Sequence, residues 1–178
     1  MNNKTSKIDY WLRQTLILLL VFVVGFVTNY FYTPTSHLNV AGQAVEQVYP
    51  YEKEKEIIEL VNKERVTNGG TELTENSLLK QAAYIRALQM IDYGYFGHIE
   101  PGKDSNEVIT VLDQIGYKYQ RFGENLAENH TEKSVIKGWL DSSSHRELML
   151  SNDVTETGVA FVASSKGVII VQLFGKPL

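Results

Sequence analysis

The 178-residue sequence contains no cysteine. That excludes a disulfide framework, a thiolate nucleophile and any cysteine-ligated zinc site, so stability rests on packing alone. Acidic residues outnumber basic ones, 21 to 17, for a formal net charge of -4. No basic stripe is available to replace the counterions of a phosphate backbone, and nucleic acid is not an expected partner. The usual signatures of enzymes are missing too: there is no Gly-x-Ser-x-Gly elbow, no His-Glu-x-x-His helix and no glycine-rich phosphate loop. Charge is absent locally as well, since no Asp, Glu, Lys or Arg occurs from Gln14 through Val45.

That uncharged stretch organises the first part of the chain. Residues 1–14 form a basic segment with Lys4, Lys7 and Arg13, followed by an apolar run over 15–32. The run reaches the length of about 17 to 25 residues that crosses a bilayer, and Tyr10 and Trp11 at one end with Tyr30 and Tyr32 at the other match interfacial belts. It is read as a single transmembrane helix with the amino terminus in the cytoplasm and the remainder outside. A cleaved secretory signal is the alternative, with Val40-Ala41-Gly42 or Gly42-Gln43-Ala44 as cleavage sites, and would give a secreted protein. Residues 33–51, broken by Pro34, Ser36, Asn39, Gly42 and Pro50, form an extracellular linker. Residues 52–178 form one domain, a size that suits a single core.

Within that domain the pattern is first helical. Ile57, Ile58, Leu60 and Val61 lie among charged residues from Glu52 until Asn68-Gly69-Gly70. A second helix follows a cap at Thr74 or Asn76, carries Leu78, Ala82, Ile85, Leu88 and Ile91, and stops near Gly94. A third starts near Asp104 or Ser105, with Glu107 placed as a capping-box partner for Asp104, and closes at Gly116. Thr131 caps a fourth that presents Val135 and Trp139 on one face, and a brief helical piece then holds His145, Leu148 and Leu150. The period next changes to two: Gly158 to Ala163 alternates, Ser164 to Gly167 turns, and Val168 to Phe174 returns as a strand. The segment around Glu124 is a further strand candidate. Helices around a late hairpin predict an α+β fold with a central sheet.

The ordered series Phe96-Gly97-His98, Gly123-Glu124-Asn125-Leu126-Ala127, Trp139 with Ser142 and His145-Arg146, Gly158-Val159-Ala160 and Val171-Gln172-Leu173-Phe174 resembles the CAP superfamily. This is the SCP or pathogenesis-related-1 type of domain, here in its bacterial, cysteine-free branch. The resemblance covers about residues 53 to 176 and implies a three-layer α-β-α sandwich. It also implies a cavity lined by two histidines and two acids, which in some members binds a divalent metal. Matched motif to motif, His98 and His145 take the histidine positions and Glu124 one acid position. The second acid is replaced by Ser142, with Asp141 beside it as an uncertain substitute.

Two neutral imidazoles and a carboxylate suit zinc, and an open coordination position would let a bound water ionise. Without metal, Glu124 would orient an imidazole as a general base. A purely structural cluster, in which buried polar groups satisfy one another, is equally consistent with the residues. His98, Glu124 and His145 are therefore the candidate catalytic residues and the candidate metal ligands; no cofactor is required, and zinc is the metal the set allows. Asn125 and Trp139 are assigned to architecture, Arg146 to the surface, and His37 and His130 to no role. Three functions follow: a cell-surface binding module for an envelope, protein or other ligand; a metal-assisted or acid-base hydrolase of peptidase type; and, from the resemblance alone, extracellular lipid or sterol binding.

Overall fold

The computed structural model describes residues 47–48, 51–165 and 167–178. The basic segment, the apolar segment 15–32 and most of the linker lie outside the described residues. Among those described, no helix is long and apolar enough to cross a membrane.

Helix α1, Tyr51–Thr67, buries Ile57, Ile58 and Val61 and starts one residue before the expected Glu52. Helix α2, Ser77–Tyr93, is capped by Asn76 rather than Thr74: its side-chain oxygen accepts from the Leu78 and Leu79 amides. Gly94 ends it in the left-handed conformation, φ 68°, that glycine adopts without strain, and the Tyr95 amide returns to the Met90 carbonyl. The buried face of α2 differs from the expected stripe. Leu79, Ala82, Ala83, Ala87 and Met90 face inward, whereas Ile85, Leu88 and Ile91 are only partly buried. Small alanines let the helix approach the sheet, and the larger apolar residues flank the contact.

Helix α3, Glu107–Ile115, corrects the expected cap. Asn106 accepts from the Val108 amide, while Glu107 pairs with Lys103 at 3.4 Å instead of reaching back to Asp104. A side-chain cap must stand immediately before the first helical residue, and Asp104 lies two positions too early. Helix α4, Glu132–Asp141, has the expected Thr131 cap, reciprocated by Ser134. Helix α5, Ser143–Leu150, follows at once, Ser142 ending one helix and starting the next.

The strands are β1 (Gln47–Val48), β2 (Thr74–Glu75), β3 (Tyr119–Glu128), β4 (Glu156–Ser164) and β5 (Gly167–Pro177). The sheet order is β1-β4-β5-β3, and β2 also pairs with β4. Among the described strands only the β2–β4 pairing is parallel, so the sheet is mixed. The late hairpin is β4–β5, longer at both ends than the alternation indicated. Two short strands were not anticipated: β1 falls inside the stretch expected to be linker, and β2 is too short to show a period.

Alternation along the central strands divides the core. Ala160, Val162, Ile169, Val171, Leu173 and Leu126 pack with α2 and α3. Val159, Phe161, Ile170, Phe174 and Ala127 pack with α1, α4 and α5. With side chains pointing to opposite faces at successive residues, helices cover the sheet on both sides, as the resemblance implies. Gly158 explains how closely one layer sits. A Cβ there would overlap the α2 main chain at Leu79 and Lys80, so the first turn of α2 rests directly on β4.

One buried cation ties the second layer together. Arg65, near the end of α1, is fully buried. It donates to the carbonyls of Thr71 at 2.7 Å, Met149 at 2.8 Å, Ser151 at 2.7 Å and Val154 at 3.4 Å. Burial pulls its pKa down. The carbonyls at the end of α5, with the negative end of the helix dipole, receive the charge in place of a carboxylate.

Candidate functional site

The site is built on β3, the strand at one edge of the sheet. Glu124 shares a face with Phe122 and Leu126, towards α2, while Asn125 points to the other face with Ala127. The Glu124 side chain is only 2% exposed. One carboxylate oxygen accepts from Arg86 Nε at 3.0 Å, and the other meets His98 Nδ1 at 2.8 Å. A carboxylate can only accept, so this contact places the proton on Nδ1 and leaves Nε2 of a neutral His98 with its lone pair free. The His98 side chain is 47% exposed. The acid is therefore interior and the imidazole faces outward.

Arg86 is the residue that sequence reasoning missed. Fully buried on α2, it donates through Nη1 to the Gln89 side-chain oxygen and the Tyr95 hydroxyl, both at 2.9 Å. Through Nη2 it reaches the Gly97 carbonyl at 3.2 Å and the His98 carbonyl at 3.4 Å. Burial would lower its pKa, but the Glu124 charge and hydrogen bond, with the Tyr95 contact, outweigh burial and raise it. A signal existed: Arg86 stands four residues from both Ala82 and Met90, so it interrupts an apolar stripe with a charge.

His145 comes from the opposite layer, on α5, and is partly buried. Its pKa is lowered, first by burial and then by His98, which favours the neutral ring. Gly123 sets this placement. A Cβ there would come within 2.5 Å of the Leu148 side chain, which would have to shift, so glycine leaves room for α5, and His145 on it, against β3. The Asn125 amide then donates to the His145 carbonyl at 3.2 Å and braces a strand against a helix. Trp139 is 2% exposed and donates from its indole to the Leu126 carbonyl at 3.0 Å, in keeping with an architectural role.

The remaining candidates stay apart. Asp141 is exposed and pairs with Lys137 at 2.5 Å. The Ser142 hydroxyl meets that of Ser144 at 3.3 Å. Arg146 is exposed and donates to the Leu140 carbonyl at 2.5 Å, and His130 is exposed beside Ser134. His37 lies outside the described residues. Among the described residues no set of three or more His, Asp or Glu side chains stands close enough to hold a metal ion. Both oxygens of Glu124 are already engaged. As arranged, the donors do not fit a zinc site with three protein ligands. An apolar pocket of about 210 Å³ lies beside the same loop, with Met90, Tyr95, Phe96 and Ile169 in its lining.

A sheet covered on both faces, with the Gly-Glu-Asn strand between two histidine-bearing segments, is the arrangement of an α+β CAP-type domain. The sequence profile of the CAP, or cysteine-rich secretory protein, family matches residues 58–174, and the chain belongs to that family. It is 33% identical over 137 residues to the uncharacterized protein YkwD of Bacillus subtilis (strain 168), covering 76% of this chain and 51% of that one. It is 31% identical over 107 residues to the uncharacterized membrane protein YlbC of the same organism, covering 60% and 30%. Among solved structures, an extracellular protein containing a SCP domain from Bacillus anthracis str. Ames superposes with a TM-score of 0.62 at 25% identity, over 70% of this chain and 40% of that one. The chain thus spans about half the length of YkwD and less of the other two.

Proposed function

We propose that the chain is a cell-surface CAP-domain module, anchored by residues 15–32 with its amino terminus in the cytoplasm, that binds an extracellular ligand at the His98–His145 face. The observation that carries this reading is the state of Glu124: it is interior, and both its oxygens are taken by Arg86 and His98. Two imidazoles are left to meet a ligand, with the Glu124 carboxylate already engaged. Such a face suits a cell-envelope component or protein segment that offers N–H or O–H donors to His98 Nε2. No resident metal is required. The names of two relatives, an extracellular protein and a membrane protein, support the same placement.

Co-sedimentation of the full chain in detergent with purified bacterial cell walls tests the reading. Binding weakened at least about tenfold in His98→Ala/His145→Ala, a loss of about 1.4 kcal/mol, is the expected result. Wild-type sedimentation of the double variant would overturn it. The 2.8 Å contact between His98 and Glu124 also favours a second reading, an acid-base hydrolase in which His98 is the general base. Hydrolysis of a fluorogenic peptide by the full chain, lost in His98→Ala, would replace binding with turnover. The lipid or sterol reading draws least support. The apolar pocket, about 210 Å³, is smaller than the roughly 300–1,000 Å³ of typical small-molecule sites.

A further inference from the structure

Arg86 has more hydrogen-bond partners at this site than either histidine, and it touches no surface. We infer that Arg86 is a positioning residue that fixes the tautomer and orientation of His98, an assignment that deepens the ligand-face reading above and rests on it. The guanidinium holds both ends of one short path. Nε fixes the Glu124 oxygen opposite the one that receives Nδ1–H, and Nη2 holds the main-chain carbonyls of Gly97 and His98, from which the imidazole hangs. Nη1 binds the Tyr95 hydroxyl, and Tyr95 is itself pinned by the Met90 carbonyl at the end of α2. The loop carrying His98 is thus joined to helix and strand through a single planar cation.

The geometry requires arginine. Five N–H groups in a fixed fork reach a carboxylate, an amide, a hydroxyl and two carbonyls together, whereas an ammonium has three donors at one point. Removing the fork frees Glu124 to rotate and releases the main chain of the loop. His98 then has no fixed acceptor for Nδ1–H, and a free neutral imidazole distributes its proton over both nitrogens. Ligand contact through Nε2 is lost as a result, although His98 itself is unchanged.

The test is ¹⁵N NMR of histidine-labelled full chain in detergent, comparing wild type with Arg86→Met, Arg86→Lys and Tyr95→Phe. Arg65→Lys controls for loss of a buried cation that does not touch His98. Wild type and Arg65→Lys are expected to show His98 as the Nδ1–H tautomer, and Arg86→Met and Arg86→Lys a mixture with Nε2–H. Tyr95→Phe should fall between. If Arg86→Met does not fold, Arg86→Lys and Tyr95→Phe decide. A wild-type tautomer in the folded Arg86 variants, or an equal change in Arg65→Lys, would overturn the assignment. The readout needs no ligand, so its outcome is separate from the cell-wall experiment: a mixed tautomer with no wall binding would sustain Arg86 and remove the ligand reading.

Discussion

Replacing Arg65 with methionine should strongly destabilise the domain. The guanidinium is fully buried and serves four main-chain carbonyls, at Thr71, Met149, Ser151 and Val154. A hydrogen bond from a charged donor contributes about 1.5 to 3 kcal/mol. The four do not add, because the loop at Thr71 and the end of α5 will relax and admit water once the cation is gone. Methionine also fills most of the volume, so the loss is that of donors rather than packing. A cost of about 3 to 5 kcal/mol follows, that of leaving about two of these buried carbonyls without a donor at roughly 1 to 3 kcal/mol each. That is a large part of the roughly 5 to 15 kcal/mol that holds a domain folded. With a urea dependence of about 1 to 3 kcal/mol per molar, the midpoint should fall by about 2 M in far-ultraviolet circular dichroism. Arg65→Lys, which keeps the charge but not the fork, should fall by less. A midpoint within about 0.3 M of wild type for Arg65→Met would refute the view that this cation organises the layer.

Trp139→Ala should cost about 3 to 5 kcal/mol from the emptied core position, with Trp139→Phe costing less, since it gives up the contact to the Leu126 carbonyl and only part of the ring volume; equal urea midpoints for alanine and wild type would contradict that assignment. His145 supplies a pH dependence. Burial and His98 hold its folded pKa below the ordinary 6.5, so the unfolded chain binds the proton more readily. Its contribution is intact above that pH and is lost as pH falls through it towards the folded value, and His145→Gln should flatten the fall in urea midpoint over the acid side. Zinc titrated calorimetrically into the full chain should show no submicromolar one-to-one binding; tight binding abolished by His98→Ala/His145→Ala would show that the two imidazoles recruit a metal without a free Glu124.

The motif series pointed to three segments that the fold brings into contact, because Gly123, Glu124 and His98 mark backbone and side-chain positions that few residues can fill. Periodicity located the helices and the hairpin. It could not show that Glu124 is consumed from behind, since Arg86 lies 38 residues away on a helix whose apolar residues run almost all round it. The shift of the buried face of α2 from Ile85 and Leu88 to Ala83 and Ala87 has the same origin: the sheet selects small residues, and a hydrophobic count prefers large ones. Arg65 was equally hidden, because its partners are carbonyls, which any residue supplies. Asn106 displaced Asp104 as the cap of α3 because capping depends on one backbone position, which composition does not fix.

The side-by-side placement of Glu124 and Asn125 has a mechanical meaning. One strand residue reaches the histidine delivered by the loop after α2, and the next braces the helix that delivers the other histidine. The two helical layers otherwise meet through the sheet between them and through the Lys80–Glu54 ion pair that joins α2 to α1. A molecule that touched both imidazoles would fasten one layer to the other from outside, like a clasp across the spine of a book. Occupancy should then register far from the site, as slower amide exchange in α2 and α5 together.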